Sequence, residues 1–104
     1  MHKLLLVLLL VAPRLAGAED SDSSRWIKEH HCMDLGGFAV SVQKSSEKKP
    51  VDKHTLVQLP QTTKTLRLCR YAAYEDNNLT LAQLFDVAID DAVDVLLQGG
   101  HDVR

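Results

Sequence analysis

The clearest periodic pattern in the chain lies near its carboxyl end, in the stretch NNLTLAQLFDVAIDDAVDVLLQGG. Apolar residues recur there every three or four positions, which is the spacing of an amphipathic α-helix of about five turns. Asn78 or Thr80 is the predicted N-cap, and Gly99-Gly100 are predicted to stop the helix. The pattern therefore predicts a helix over 81–98 with one face in the core. That face comprises Leu81, Leu84, Phe85, Ala88, Ala92, Val95 and Leu96.

A shorter helix is predicted in RWIKEHHCMDL, closer to the amino end. Ser23 or Ser24 is a suitable N-cap, and Gly36-Gly37 are predicted to end this helix. Trp26, the only tryptophan, is expected to anchor it to the core. The residues on one side of the helix are Trp26, Ile27, His30 and Leu35.

Three runs between these helices are interpreted as strands. FAVSVQ alternates apolar and polar positions, and HTLVQL and TLRLCRYAAY are separated by PQTTK, which suits a hairpin connection. The last run also fits a helix, in which Leu66, Cys69, Arg70 and Ala73 would cluster, but the strand is preferred. The sequence thus predicts an α+β fold. It would consist of a small antiparallel sheet of about three strands, a short N-terminal helix and a long C-terminal amphipathic helix.

The leader MHKLLLVLLLVAPRLAGA has the three parts of a secretory signal peptide. Lys3 supplies the basic start, residues 4–12 are apolar, and Ala16 and Ala18 are the small residues before a cleavage site. The apolar run is too short for a membrane span, which needs about 20 residues. The chain is therefore predicted to be secreted, with residues 1–18 as the signal peptide and 19–104 as a single small domain without stable membrane insertion.

Two cysteines, Cys32 and Cys69, remain after the leader is removed. Paired thiols persist in the secretory pathway, and a domain of this size has a marginal hydrophobic core. One disulfide between these two residues is therefore predicted. Its Cα atoms should lie about 4.4–6.8 Å apart, and the bridge should contribute about 4 kcal/mol to stability.

The cluster EHHCMD places two histidines and an aspartate beside Cys32. Adjacent residues rarely point at one metal ion, and no Cys-x-x-Cys or His-x-x-x-His pair occurs in the chain. The preferred interpretation is a helix end with exposed His30 and His31 leading into a bridged cysteine. No catalytic residue, metal site or cofactor is predicted.

The charges are distributed unevenly along the chain. Residues 44–70 hold seven basic and two acidic residues, whereas 75–102 hold seven acidic and no basic residues. Asp86, Asp90 and Asp94 line one side of the C-terminal helix, where repeated like charges lower helix stability. This row is interpreted either as a solubilising face or as a partner-binding face, and in the second case a cationic extracellular protein would complement it. Nucleic acid is an improbable partner for an acidic secreted chain.

Asn78-Leu79-Thr80 is an N-glycosylation sequon, so Asn78 is a predicted glycan site. Together these features predict a secreted, non-enzymatic binding or accessory module, such as a ligand, inhibitor or effector that acts through protein–protein contacts. Two alternatives stay open. One is a small hydrolase or metal-binding protein that uses His30 and His31 with Glu29 or Asp34. The other is a truncated or precursor form of a larger secreted protein.

Overall fold

The computed structural model describes the backbone of residues 21–103 and the side chains of residues 21–98. These residues form four helices and no strand. The predicted α+β fold is therefore wrong, because all three predicted strands are helical. The predicted signal peptide, residues 1–18, lies outside the described residues. The helices are α1 (Asp22–Glu29), α2 (Cys32–Ser46), α3 (Lys53–Glu75) and α4 (Leu79–Val103).

Helix α3 is the central element of the bundle, since it packs against each of the other three helices. Helix α4 packs against α3 and α2, and α1 packs against α3 and α2. The largest fully buried side chains come from α2, α3 and α4, and many of the smaller core positions are alanine. Small core residues allow helices to approach one another closely. The large buried side chains are Phe85, Leu59, Leu66, Val95, Cys32 and Cys69.

Helix α1 begins one turn earlier than predicted and ends before Cys32. The Ser21 hydroxyl caps it by accepting a hydrogen bond from the Ser24 backbone N–H at 3.0 Å, so Ser21 and not Ser23 or Ser24 is the N-cap. The same hydroxyl donates to the Asp76 carboxylate at 2.7 Å, which joins the start of α1 to the end of α3. The break after α1 falls at His31, whose φ of 55° lies in the left-handed region.

Helix α2 passes straight through Gly36 and Gly37, where the sequence predicted a stop. Neither glycine has a positive φ, so neither acts as a C-cap. A Cβ at Gly36 would lie 3.8 Å from the Cβ of Ala88, so α2 and α4 are close at this point. The FAVSVQ strand is therefore helical, because packing of α2 against α4 outweighs the helix penalty of two glycines.

Replacing Gly36 or Gly37 by alanine is expected to raise the free energy of unfolding by about 0.5–1 kcal/mol each. Both positions are helical. The added methyl at Gly36 would make ordinary van der Waals contacts, and the methyl at Gly37 would meet nothing within 4 Å. Urea unfolding of the two single variants measures the change. Loss of stability in the Gly37→Ala variant would contradict a helix at this position.

Helix α3 replaces the predicted hairpin and includes PQTTK, which the sequence analysis interpreted as a turn. Asp52 caps its start by accepting a hydrogen bond from the Thr55 backbone N–H at 2.7 Å. Pro60 lies inside the helix with its ring exposed to solvent, and it removes one backbone hydrogen bond. The buried Thr62 and Thr63 hydroxyls donate to carbonyls four residues earlier, so these polar atoms are satisfied. The free energy gained by burying the apolar residues around Leu66 outweighs the loss of a hydrogen bond at Pro60.

The turn from α3 to α4 is closed by two adjacent asparagines. Asn77 has a φ of 57° and its backbone N–H donates to the Tyr74 carbonyl, while the Asn78 N–H donates to the Ala73 carbonyl at 2.9 Å. This pair of hydrogen bonds is a Schellman motif with asparagine in the left-handed position. The Asn78 side-chain oxygen then caps α4 by accepting from the Leu81 N–H at 3.1 Å. Of the two predicted caps, Asn78 is the one used.

The predicted C-terminal helix is present as α4, but its end and part of its buried face differ from the prediction. It extends to Val103 and therefore includes Gly99-Gly100, which were expected to stop it. Leu84, assigned to the core by its spacing, is 54% exposed, whereas Ile89 is 5% exposed. Because α4 contacts both α2 and α3, its buried arc is turned toward these two helices and away from Leu84.

Candidate partner-binding surface

Cys32 and Cys69 form a disulfide that joins the first residue of α2 to the C-terminal half of α3. Their Cα atoms lie 5.9 Å apart, within the range expected for a bridge. Both residues are fully buried. The bridge therefore fixes the junction between α1 and α2 against α3, and neither sulfur is a free thiolate for catalysis or metal binding.

The two histidines before Cys32 face different neighbours. The imidazole of His30 stacks on the indole of Trp26 with ring centroids 3.8 Å apart, and its Nδ1 donates to the Trp26 carbonyl at 2.9 Å. His31 has its Nδ1 3.6 Å from the Asp34 carboxylate, and both histidines are exposed. Among the described residues, no group of three or more histidine, cysteine or acidic side chains is placed to hold a metal ion.

The three aspartates of the predicted acidic face of α4 have different surroundings in the structure. Asp86 pairs with Arg70 of α3, and both side chains are partly buried. Asp90 and Asp94 are exposed, and neither belongs to an ion pair within the part of the chain that the structure describes. The basic segment of the chain therefore neutralises one of the three carboxylates, and the other two remain available to a partner.

Asp91 adds a fourth carboxylate to this region, on the side of α4 that approaches α2. Burial raises the pKa of Asp91 above its ordinary value, and the charges of Asp94, Asp90 and Glu47 raise it further. Lys44 of α2 acts in the opposite direction. Several carboxylates therefore lie close together along α4, and a cation bound beside them would reduce the repulsion between their charges.

A groove between α1 and α3 is a second candidate surface. It has a volume of about 360 Å³ and is open to solvent. Leu68 and Tyr71 are 52% and 62% exposed there, which is high for large apolar or aromatic side chains. The indole of Trp26 is half-buried on the α1 side. The residues that line this groove, named here the α1–α3 groove, are Asp22, Ser23, Trp26, Leu68, Tyr71, Ala72 and Glu75.

The α1–α3 groove is not evident from the sequence when residues 65–74 are interpreted as a strand. In a strand, Leu68 and Tyr71 would point to opposite faces, whereas three residues along a helix brings them to the same side. Trp26 was expected to anchor α1 to the core, and it does pack against the core while also lining the groove. Interpreting TLRLCRYAAY as a helix places Leu68 and Tyr71 on the same side of that helix.

Asn78, the predicted glycan site, is exposed at the turn between α3 and α4. Its side-chain oxygen makes the cap of α4, whereas a glycan would be attached to its side-chain nitrogen. The sequon and the cap therefore use different atoms of the same side chain.

None of the described helices combines the length and apolar character needed to cross a bilayer. Comparisons with protein-family models, curated proteins and solved structures found no match to this chain.

Proposed function

We propose that the chain is a secreted, non-enzymatic binding module that contacts another extracellular protein through its surface. The observation that carries this proposal is the exposure of Leu68 and Tyr71 beside the half-buried Trp26. Tyrosine and tryptophan are enriched where proteins meet, because they supply large contact areas and can also form hydrogen bonds. A groove that presents both residues has the character of an interface.

The partner is proposed to be cationic at the contact. Asp90 and Asp94 present negative charge on α4, and Asp22 and Glu75 border the α1–α3 groove. Carboxylates arranged in this way attract a positively charged protein during encounter and reject an acidic one. The effect should weaken as salt is added, since the charges are exposed.

Secretion is part of the proposal. The leader has the pattern of a signal peptide, and a disulfide is stable in the secretory pathway but rare in the cytosol. A glycan on Asn78 would also be added in the secretory pathway.

Treatment of the secreted chain with a glycosidase specific for N-linked glycans should lower its mass, whereas an Asn78→Gln variant should show no change.

The binding proposal is tested with a photoreactive phenylalanine analogue placed at position 68 of the secreted chain. Irradiation in extracellular fluid should crosslink one protein, which is then purified and titrated with the native chain. The matched control carries the same analogue at Val57, which is 74% exposed on α3 but does not line the groove. Binding of the purified protein that is lost in the Tyr71→Ala variant supports the proposal. Equal crosslinking from both positions, or no binding by the purified protein, overturns it.

The charge of the partner is tested with the double variant Asp90→Lys, Asp94→Lys. Asp86 is left unchanged because its pairing with Arg70 contributes to folding. A variant that unfolds at the same urea concentration but binds the purified partner less tightly, with a smaller dependence on salt, supports a cationic contact. If the affinity and its salt dependence were both unchanged, the exposed carboxylates would serve only to keep the protein soluble, and the proposed cationic contact would be wrong.

A further inference from the structure

The α1–α3 groove combines an apolar lining with a negative edge. Leu68 and Ala72 contribute aliphatic surface to its lining, and Trp26 and Tyr71 contribute aromatic rings. All the charged side chains that line the groove are acidic, and they come from two different helices. A groove of similar volume between α2 and α3, about 370 Å³, is lined by Leu35, Phe38, Gln58, Gln61, Thr62 and Thr65 and has no charged side chain. A third groove, of about 470 Å³, has one lysine and one aspartate in its lining, Lys49 and Asp52. Of these three grooves, the α1–α3 groove is the one whose charged side chains are all of one sign.

The backbone reinforces this negative edge. Glu75 is the last residue of α3, and the final turn of that helix contains no basic residue. A helix C-terminus carries a partial negative charge, so this end of the groove favours a cation. Glu75 takes part in no ion pair among the described residues.

One cation already lies near the groove. Arg25 pairs with Asp22 three residues earlier on α1, but the two side chains are 60% and 95% exposed. Surface pairs of this kind contribute little stability and exchange readily with water and other ions. Arg25 itself does not line the groove, so it leaves the Glu75 edge open.

The two aromatic rings limit the shape of a ligand that fits. His30 stacks on one face of the Trp26 indole, so a ligand in the groove meets the remainder of that ring. A planar cation can lie against tryptophan and tyrosine rings, where the ring electrons attract it. Guanidinium is planar, weakly hydrated and able to donate two hydrogen bonds to one carboxylate, whereas an ammonium group is a compact and strongly hydrated charge.

We propose that the α1–α3 groove receives an arginine side chain of the partner protein. The guanidinium lies against Trp26 and Tyr71 and donates hydrogen bonds to Glu75, while its methylene groups cover Leu68. This inference rests on the proposed function, because it names the side chain through which a cationic partner is held. It also gives the groove a specificity, since it selects arginine over lysine.

The position of Trp26 allows a direct test. It is the only tryptophan of the chain and it lines the groove, so a ligand bound there changes the surroundings of the one indole that fluoresces. The secreted chain is titrated with the blocked tripeptide acetyl-Gly-Arg-Gly-amide. The same peptide with citrulline, which has the shape of arginine without its charge, and a third peptide with lysine are titrated in parallel. A saturable change in Trp26 fluorescence is expected with the arginine peptide, with weaker binding of the lysine peptide and the weakest binding of the citrulline peptide.

Two variants assign the contacts. Tyr71→Ala should weaken binding of the arginine peptide by about two- to fivefold, the range of an exposed cation–π contact. Glu75→Gln should weaken it by up to about fivefold, the range of an exposed ion pair. Their matched controls are Tyr74→Ala and Glu29→Gln, which alter exposed residues of α3 and α1 that do not line the groove. The controls should bind as the native chain does. Circular dichroism of all four variants confirms that the helices are intact.

Equal binding of the arginine and citrulline peptides would overturn the inference, as would the absence of any saturable change in fluorescence. Equal effects of the variants and their controls would overturn it as well. None of these results would disprove a partner that crosslinks to position 68 and needs Tyr71, so the proposed function would stand without an arginine contact. Conversely, binding of the tripeptide in the absence of a crosslinked protein would retain the arginine site and remove the proposed function.

Discussion

Replacing both Cys32 and Cys69 by alanine is expected to lower the free energy of unfolding by about 4 kcal/mol. The bridge closes a loop across a sequence separation of 37 residues, and removing it returns that conformational freedom to the unfolded chain. Small domains have about 5–15 kcal/mol of stability in total, so the loss is a large share. Alanine is the suitable replacement because both sites are fully buried, and a serine hydroxyl there would be costly to desolvate.

Urea unfolding followed by circular dichroism measures this loss, and the native chain under reducing conditions provides the control. The reduced native chain should lose about as much stability as the double variant, because both lack the covalent loop. A loss below about 1 kcal/mol in both samples would contradict the prediction. It would mean that the unfolded chain is already restricted without the bridge.

The second large effect is expected at Phe85, which is 2% exposed and lies among the largest buried side chains. The variant Phe85→Ala should lose about 3–5 kcal/mol, because it removes buried apolar surface and leaves a cavity between packed helices. Its neighbour Leu84 is 54% exposed and provides the matched control. Leu84→Ala should change stability by about 0.5 kcal/mol or less.

The comparison of these two adjacent positions tests the orientation of α4. Both residues were assigned to the core by their spacing, so the sequence alone predicts similar losses for both. A large loss at Leu84 with a small loss at Phe85 would show that α4 is rotated about its axis relative to the structure. Thermal unfolding in parallel with urea unfolding would establish that the difference does not depend on the denaturant.

Helix α4 and the cysteine pairing could be predicted because each depends on information that is local or limited to two residues. The period of α4 continues over about five turns, so one exposed leucine does not obscure it. The chain has only two cysteines, which leaves one intramolecular pairing. In contrast, the buried arc of α4 depends on where α2 and α3 lie, and its own sequence does not contain that information.

The three predicted strands were wrong for a common physical reason. Gly36-Gly37 and Pro60 each disfavour a helix locally, and valine or threonine recurs at alternate positions in the first two runs, as in a strand. In the structure these penalties are outweighed by packing between helices, which involves residues far apart along the chain. The α1–α3 groove was missed with the strands, since it requires both α3 and the approach of Trp26 from another helix.

The position of the disulfide also determines what proteolysis can do to this molecule. Between α2 and α3, residues 47–50 are all exposed, so the peptide bond between Lys48 and Lys49 is open to trypsin-like enzymes, whereas Pro50 protects the bond after Lys49. This connection lies between the two bridged cysteines, so a cut there produces a two-chain protein and releases neither fragment. Such a cut would leave the mass nearly unchanged on a non-reducing gel and give two smaller bands after reduction. The nicked form would keep Trp26 and Tyr71 tethered through the bridge, although they would then belong to different polypeptides.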